Sequence, residues 1–103
     1  MAHTPGPWVV GPIDDTAVTH LGKDGIRYEV AAVDGDYNDP DEWPIMEANA
    51  RLIAAAPDLL AVVKAMVVEY CDYTIINNLG NPETQHNIKL ARAAIAKAEG
   101  AQE

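Results

Sequence analysis

A chain of 103 residues with sixteen acids against seven bases carries a formal charge of −9, which repels phosphate backbones and anionic lipid heads and argues against direct binding of nucleic acid or a membrane surface. Its single cysteine, Cys71, excludes an intrachain disulfide and suits a reducing cytoplasm. The apolar residues are mostly Ala and Val, with no Phe, so one domain over 1–103 is expected to have a thin core or to lean on a second subunit.

Met1 to Pro7 lacks the basic and apolar segments of a signal peptide. Thr4-Pro5-Gly6-Pro7 reads as a rigid extended or turning segment, because each proline fixes its own φ and restricts the residue before it. Trp8-Val9-Val10 is a short β-prone triplet closed by Gly11-Pro12, with Trp8 anchoring it. Ile13 to Leu21 alternates loosely, and Ala17-Val18-Thr19-His20-Leu21 is its best strand. Gly22-Lys23-Asp24-Gly25 predicts a hairpin turn, since Asp-Gly tolerates positive φ. Ile26 to Val33 is the clearest strand, with Ile26, Tyr28, Val30 and Ala32 on one face and Arg27, Glu29 and Ala31 on the other. Residues 8–33 thus form a three-stranded antiparallel meander that needs a cover.

The cover comes from the second half. Residues 34–44 make an acidic loop, with no Lys or Arg between Arg27 and Arg51. Pro44 opens a helix over 44–56, with apolar residues at helical spacing and a Glu47–Arg51 pair one turn apart. Pro57 should stop it or kink it sharply, so the second half holds two to three helices, and the stretch 57–77 carries Leu59, Leu60, Val63, Val67 and Tyr70 as its apolar stripe, widened by Val62 and Met66. Asn77-Asn78-Leu79-Gly80 closes that helix. Asn81-Pro82-Glu83 starts a third over 82–99, with Ile88, Ala91, Ile95 and Ala98 inward, and the last three residues are expected to be loose. The fold class is α+β. No run is apolar and long enough for a membrane span, since Pro57, Asp58 and Lys64 interrupt the best one.

Catalytic chemistry finds little support. The chain has no serine, and neither phosphate-loop pattern occurs. Cys71 follows an apolar stripe and reads as an inert thiol. His3, His20 and His86 are scattered, with no zinc spacing. Asp34, Asp36 and Asn38 match the first three ligand positions of a calcium loop, but Asp39 stands where glycine must turn the chain and Ile45 where a bidentate glutamate belongs. No enzyme, cofactor or metal site is therefore expected. Two binding surfaces are. Asp34, Asp36, Asp39, Asp41 and Glu42 form an acidic surface for a protein partner. Trp8, Asn49 and Arg51 are the alternative, a small site for an anionic nucleotide, with Arg51 for the anion and Trp8 for the flat ring. A structural homodimer or higher homo-oligomer is a third reading.

Two motifs together carry a resemblance. Thr4-Pro5-Gly6-Pro7-Trp8, followed by Ala48-Asn49-Ala50-Arg51-Leu52-Ile53-Ala54-Ala55-Ala56-Pro57-Asp58-Leu59-Leu60, resembles short proteins common in tailed-phage and prophage genomes. Ala91-Arg92-Ala93-Ala94-Ile95-Ala96-Lys97-Ala98 is similar to their last helix. The resemblance implies phage origin, an α+β fold and residence in the host cytoplasm. It also implies an accessory role on a host protein, of the anti-defence or host-takeover kind. It supplies no activity, and nothing carries over to the loop at 34–44.

Overall fold

The computed structural model describes residues 3–12 and 14–100. The elements are β1 (Val9–Val10), β2 (Ala17–Leu21), β3 (Arg27–Ala32), α1 (Trp43–Ile76), a 3-10 turn (Pro82–Thr84) and α2 (His86–Ala98). The strands pair antiparallel in the order β1-β2-β3. The expected α+β architecture, a meander followed by helices, is what the chain adopts. Ile13 and the last three residues, 101–103, lie outside the described residues.

The β2–β3 turn closes as its residues dictate. Gly25 has φ +81, its N–H donates to the Gly22 carbonyl at 3.0 Å, and the Asp24 carboxylate accepts from the Ile26 N–H at 3.0 Å. The Tyr28 hydroxyl also donates to Asp24. These donors, the hydroxyl foremost, hold the Asp24 carboxyl below its ordinary range and push the Tyr28 hydroxyl up.

The alternation predicted for β3 fails at one point. Val18 lies opposite Ala31 and Thr19 opposite Glu29, so Val30 is an extra residue, a β-bulge. Residues opposed across a ladder share a face. Val10, Val18 and Ala31 therefore share the core face, while Ala32 joins Ala17, Thr19 and Glu29 on the other. The bulge exchanges the predicted sides of Ala31 and Ala32, and both Val30 and Ala31 pack against the core. Ile26, expected on the buried face, precedes the strand and is 56% exposed.

The larger correction concerns Pro57. Of the two to three helices expected, two form: the stretches 44–56 and 57–77 are one, and α1 runs through the proline without interruption. Proline in a helix interior removes one hydrogen bond and costs about 3 kcal/mol relative to alanine. Strong helix formers on both sides, Ala54 to Ala56 and Leu59 to Ala61, supply the propensity that offsets it. The proline is also packed. A Cβ placed on Gly6 would lie 3.2 Å from the Pro57 Cβ, so the Thr4-Pro5-Gly6-Pro7-Trp8 segment and the helix motif meet here, glycine against ring.

The far end of α1 is a Schellman cap. Asn78 takes the left-handed conformation, φ 57, the Leu79 N–H reaches the Thr74 carbonyl at 2.9 Å, and the Asn78 N–H reaches that of Ile75 at 3.2 Å. Asn81 caps the next turn, accepting from the Glu83 N–H at 3.0 Å. That start signal yields only the 3-10 turn. The Gln85 N–H bonds back to Pro82, Gln85 itself is extended, and α2 begins at His86 rather than at 82.

Internal contacts divide the chain into two compact units, one of Thr4–Asp58 and the other of the rest. In the first, Val18, Val33, Met46 and Ala50 form the buried cluster, and Trp8, Val10, Val30, Ala31, Ile53 and Ala54 pack against it. In the second, Val67 and Ile88 are buried, as is Thr74, whose hydroxyl donates to the Tyr70 carbonyl at 2.8 Å. There the Tyr70 hydroxyl donates to Gln85, and ion pairs join Lys64 to Glu99 and Arg92 to Glu83. Both clusters are small, as the composition predicts. Met46 is the largest fully buried side chain among the described residues.

Candidate functional site

The loop between β3 and α1 is ordered by its own side chains. Asp36 accepts from the Asn38 N–H at 2.9 Å, and Asp39 accepts from the Asp41 N–H at 2.9 Å. Two backbone turns coincide with them, Asp39 N–H to the Asp36 carbonyl at 3.1 Å and Glu42 N–H to the Asp39 carbonyl at 3.0 Å. Short acidic side chains fold back onto the backbone two residues on, which is how Asx turns form. The Glu42 carbonyl then accepts from the Met46 N–H at 2.9 Å and starts α1.

Two aromatic residues that the sequence pattern did not single out tie this loop to the body of its unit. The Tyr37 hydroxyl donates to the Val33 carbonyl at 3.3 Å and lies 3.3 Å from the Thr16 hydroxyl, a buried group that itself donates to Asp14 at 2.7 Å. The Trp43 indole N–H donates to the Tyr37 carbonyl at 3.0 Å, and the two rings meet edge to face at 5.7 Å. Asp14, accepting from both the backbone and the hydroxyl of Thr16, is held below the ordinary carboxylate range, the backbone donor contributing most. An aromatic residue at the middle and at the end of an otherwise polar loop was the signal in the sequence.

Gly35 lies close against the core. A Cβ there would fall 2.6 Å from the Met46 sulfur, which is buried. The five acids do not share one environment. Asp34, Asp36 and Asp41 are exposed, whereas Asp39 and Glu42 are half-buried. Asp34 accepts from the Gly35 N–H at 2.9 Å. Among the described residues, no group of three or more His, Cys, Asp or Glu side chains could hold a metal ion.

Trp8, Asn49 and Arg51 are placed differently. Trp8 packs against the buried cluster and donates its indole N–H to the Thr4 carbonyl at 3.1 Å. Asn49 and Arg51 are exposed, on either side of fully buried Ala50. Arg51 does not pair with Glu47, and among the described residues it has no hydrogen bond or ion pair. Two clefts lie elsewhere. One of about 380 Å³ lies on the sheet face away from the core, lined by Gly11, Asp14, Ala17, Thr19, Arg27 and Glu29 among others. There the Thr19 hydroxyl donates to the Gly11 carbonyl at 2.8 Å, and Arg27 reaches Thr19 at 3.5 Å. The other, of about 220 Å³, is an apolar groove in the second unit lined by Val63, Met66, Val67, Tyr70, Ile88 and Ala91 with Asn87. Cys71 is half-buried, and among the described residues no helix is long and apolar enough to cross a membrane.

Among known protein families, the sequence model of the one described as Salmonella phage P22 protein Y8K6 matches residues 1–102. No curated relative matches the chain, and no solved structure does.

Proposed function

The chain belongs to the Salmonella phage P22 protein Y8K6 family, and from that premise we propose that it is a phage accessory protein acting by binding a host protein through the acidic loop before α1. One observation carries this reading: the carboxylates are presented on a scaffold already ordered. The turns at Asp36 and Asp39 and the Tyr37 and Trp43 anchors fix the loop before any partner arrives. A preorganised loop loses little conformational entropy on docking, so more of the contact energy appears as affinity. Exposed Asp34, Asp36 and Asp41 would steer a basic surface and speed its encounter. The action would be inhibition or takeover of a host factor in the host cytoplasm, with no chemistry of its own and no cofactor.

The test is capture from host lysate by the intact chain and by the Asp34→Asn, Asp36→Asn, Asp41→Asn triple variant. The amide keeps an oxygen acceptor for the turn hydrogen bonds while removing the charge. The expected result is a defined partner retained by the parent, with affinity falling at least tenfold in the variant and falling again as salt rises from about 50 to 300 mM. A partner held equally by both proteins and at both salt concentrations would sink the reading.

A further inference from the structure

Along α1 the apolar residues come as neighbours repeated every seven positions: Ile45-Met46, Leu52-Ile53, Leu59-Leu60, Met66-Val67, and then Tyr73-Thr74. The second of each pair serves the chain's own packing. Met46, Val67 and Thr74 are buried, and Ile53 and Leu60 are half-buried. The first of each pair faces solvent, with Ile45 56%, Leu52 64%, Leu59 50%, Met66 62% and Tyr73 60% exposed. Three residues after each stand Ala48, Ala55, Val62, Glu69 and Ile76. Val62 is 53% exposed and Ile76 77%. Apolar residues alternating at spacings of three and four within a repeat of seven are the pattern by which one helix packs along another. Pro57 lies on the opposite side of the helix, with buried Ala50.

We propose that this stripe is the interface of an antiparallel homodimer, covered by α1 of a second copy of the chain. Area is the first argument. Seven large apolar side chains, each at least half exposed, offer on the order of 800 Å² per chain, the share one partner contributes to a standard stable interface. Shape is the second. Antiparallel alignment about the midpoint between Leu59 and Val62 sets Leu59 against Val62, Ala55 against Met66, Ala48 against Tyr73 and Ile45 against Ile76. Small residues meet large ones at every step where bulk varies.

Charge selects the direction. The same alignment brings Leu52 opposite Glu69 and places Arg51 beside Glu69 and Asp72 of the second copy. Among the described residues Arg51, Glu69 and Asp72 have no ion pair within their own chain, and all three are exposed. Parallel alignment would set Glu69 against its own copy, a like-charge contact inside an apolar seam, and leave Arg51 far from both acids. The inference stands apart from the acidic loop, whose residues precede the stripe.

Sedimentation equilibrium of the whole chain tests it. The expected mass at about 100 µM is that of a dimer, with dissociation on dilution. Leu52→Glu with Leu59→Glu should give a monomer whose far-ultraviolet helical signal is kept, because both positions face solvent. Arg51→Glu alone should weaken the dimer at least tenfold. Adding Glu69→Arg and Asp72→Arg to that chain should restore it, which only antiparallel pairing allows. A monomer at every concentration, a dimer indifferent to the stripe substitutions, or failure of the charge exchange to rescue would each overturn the proposal.

Discussion

Truncating Met46 to alanine should cost about 3 kcal/mol of folding stability and lower the melting temperature by roughly 15 °C. The magnitude follows from position. Met46 is 1% exposed and is the bulkiest residue in a cluster otherwise built from Val18, Val33 and Ala50. Small neighbours cannot swing into the hole, so the lost transfer energy is joined by a cavity term. Gly35 crosses over the Met46 sulfur at a distance that leaves no room for a Cβ, so the backbone of the acidic loop rests on the same side chain. Urea unfolding with the midpoint and slope compared to the parent checks this. A loss under about 1 kcal/mol would mean that Met46 is not the centre of the packing.

Pro57→Ala should raise stability, by about 1–2 kcal/mol. Restoring the N–H returns a hydrogen bond to the Ile53 carbonyl and removes a steric conflict together worth about 3 kcal/mol. Against this stands the lost contact between the ring and Gly6, about 1 kcal/mol for the methylenes withdrawn. The contact that the ring makes in exchange for the helix defect is with the N-terminal segment, at Gly6. Thermal melts of Pro57→Ala read the net sign. Destabilisation would show that docking of residues 4–8 on α1 outweighs the helix defect.

The turns and caps were legible because each rests on one or two residues with a strong local preference. Asp24-Gly25 closes a hairpin, Asn78 supplies the left-handed cap, and Asn81 accepts from the backbone two residues on. What failed was whatever depended on context. Pro57 carries a strong local stop signal, and the alanines and leucines around it overrule that signal. The bulge at Val30 has no glycine or proline to announce it, so strict alternation assigned Ala31 and Ala32 to the wrong faces. The stripe on α1 was visible in letters yet merged with the buried face. Leu59 and Leu60 read as one apolar surface, and only burial separates them into an inward and an outward residue.

Legibility of the sites divides the same way. A run of five acids between Asp34 and Glu42 announces itself by composition, and its Asx turns follow from acids placed two residues before a backbone donor. The anchoring by Tyr37 and Trp43 depends on contacts with Val33 and Thr16, residues on other segments that no local pattern links. Arg51 stands out in the letters as a polar residue in an apolar helix. That it is exposed, with no ion pair among the described residues, is a three-dimensional fact.

The placement of the indoles also has an optical consequence. The chain has two tryptophans, one against the core of the first unit and the other at the end of the acidic loop. Trp8 is half-buried beside the sheet, and Trp43 is 39% exposed and hydrogen-bonded to Tyr37. Each ring is a built-in fluorophore reporting a different event. With Trp8→Phe, emission comes from the loop alone and reads whatever settles on it. With Trp43→Phe, it comes from the packed interior and reads melting. Docking and unfolding can thus be followed separately, each in its own single-tryptophan variant, with no label attached.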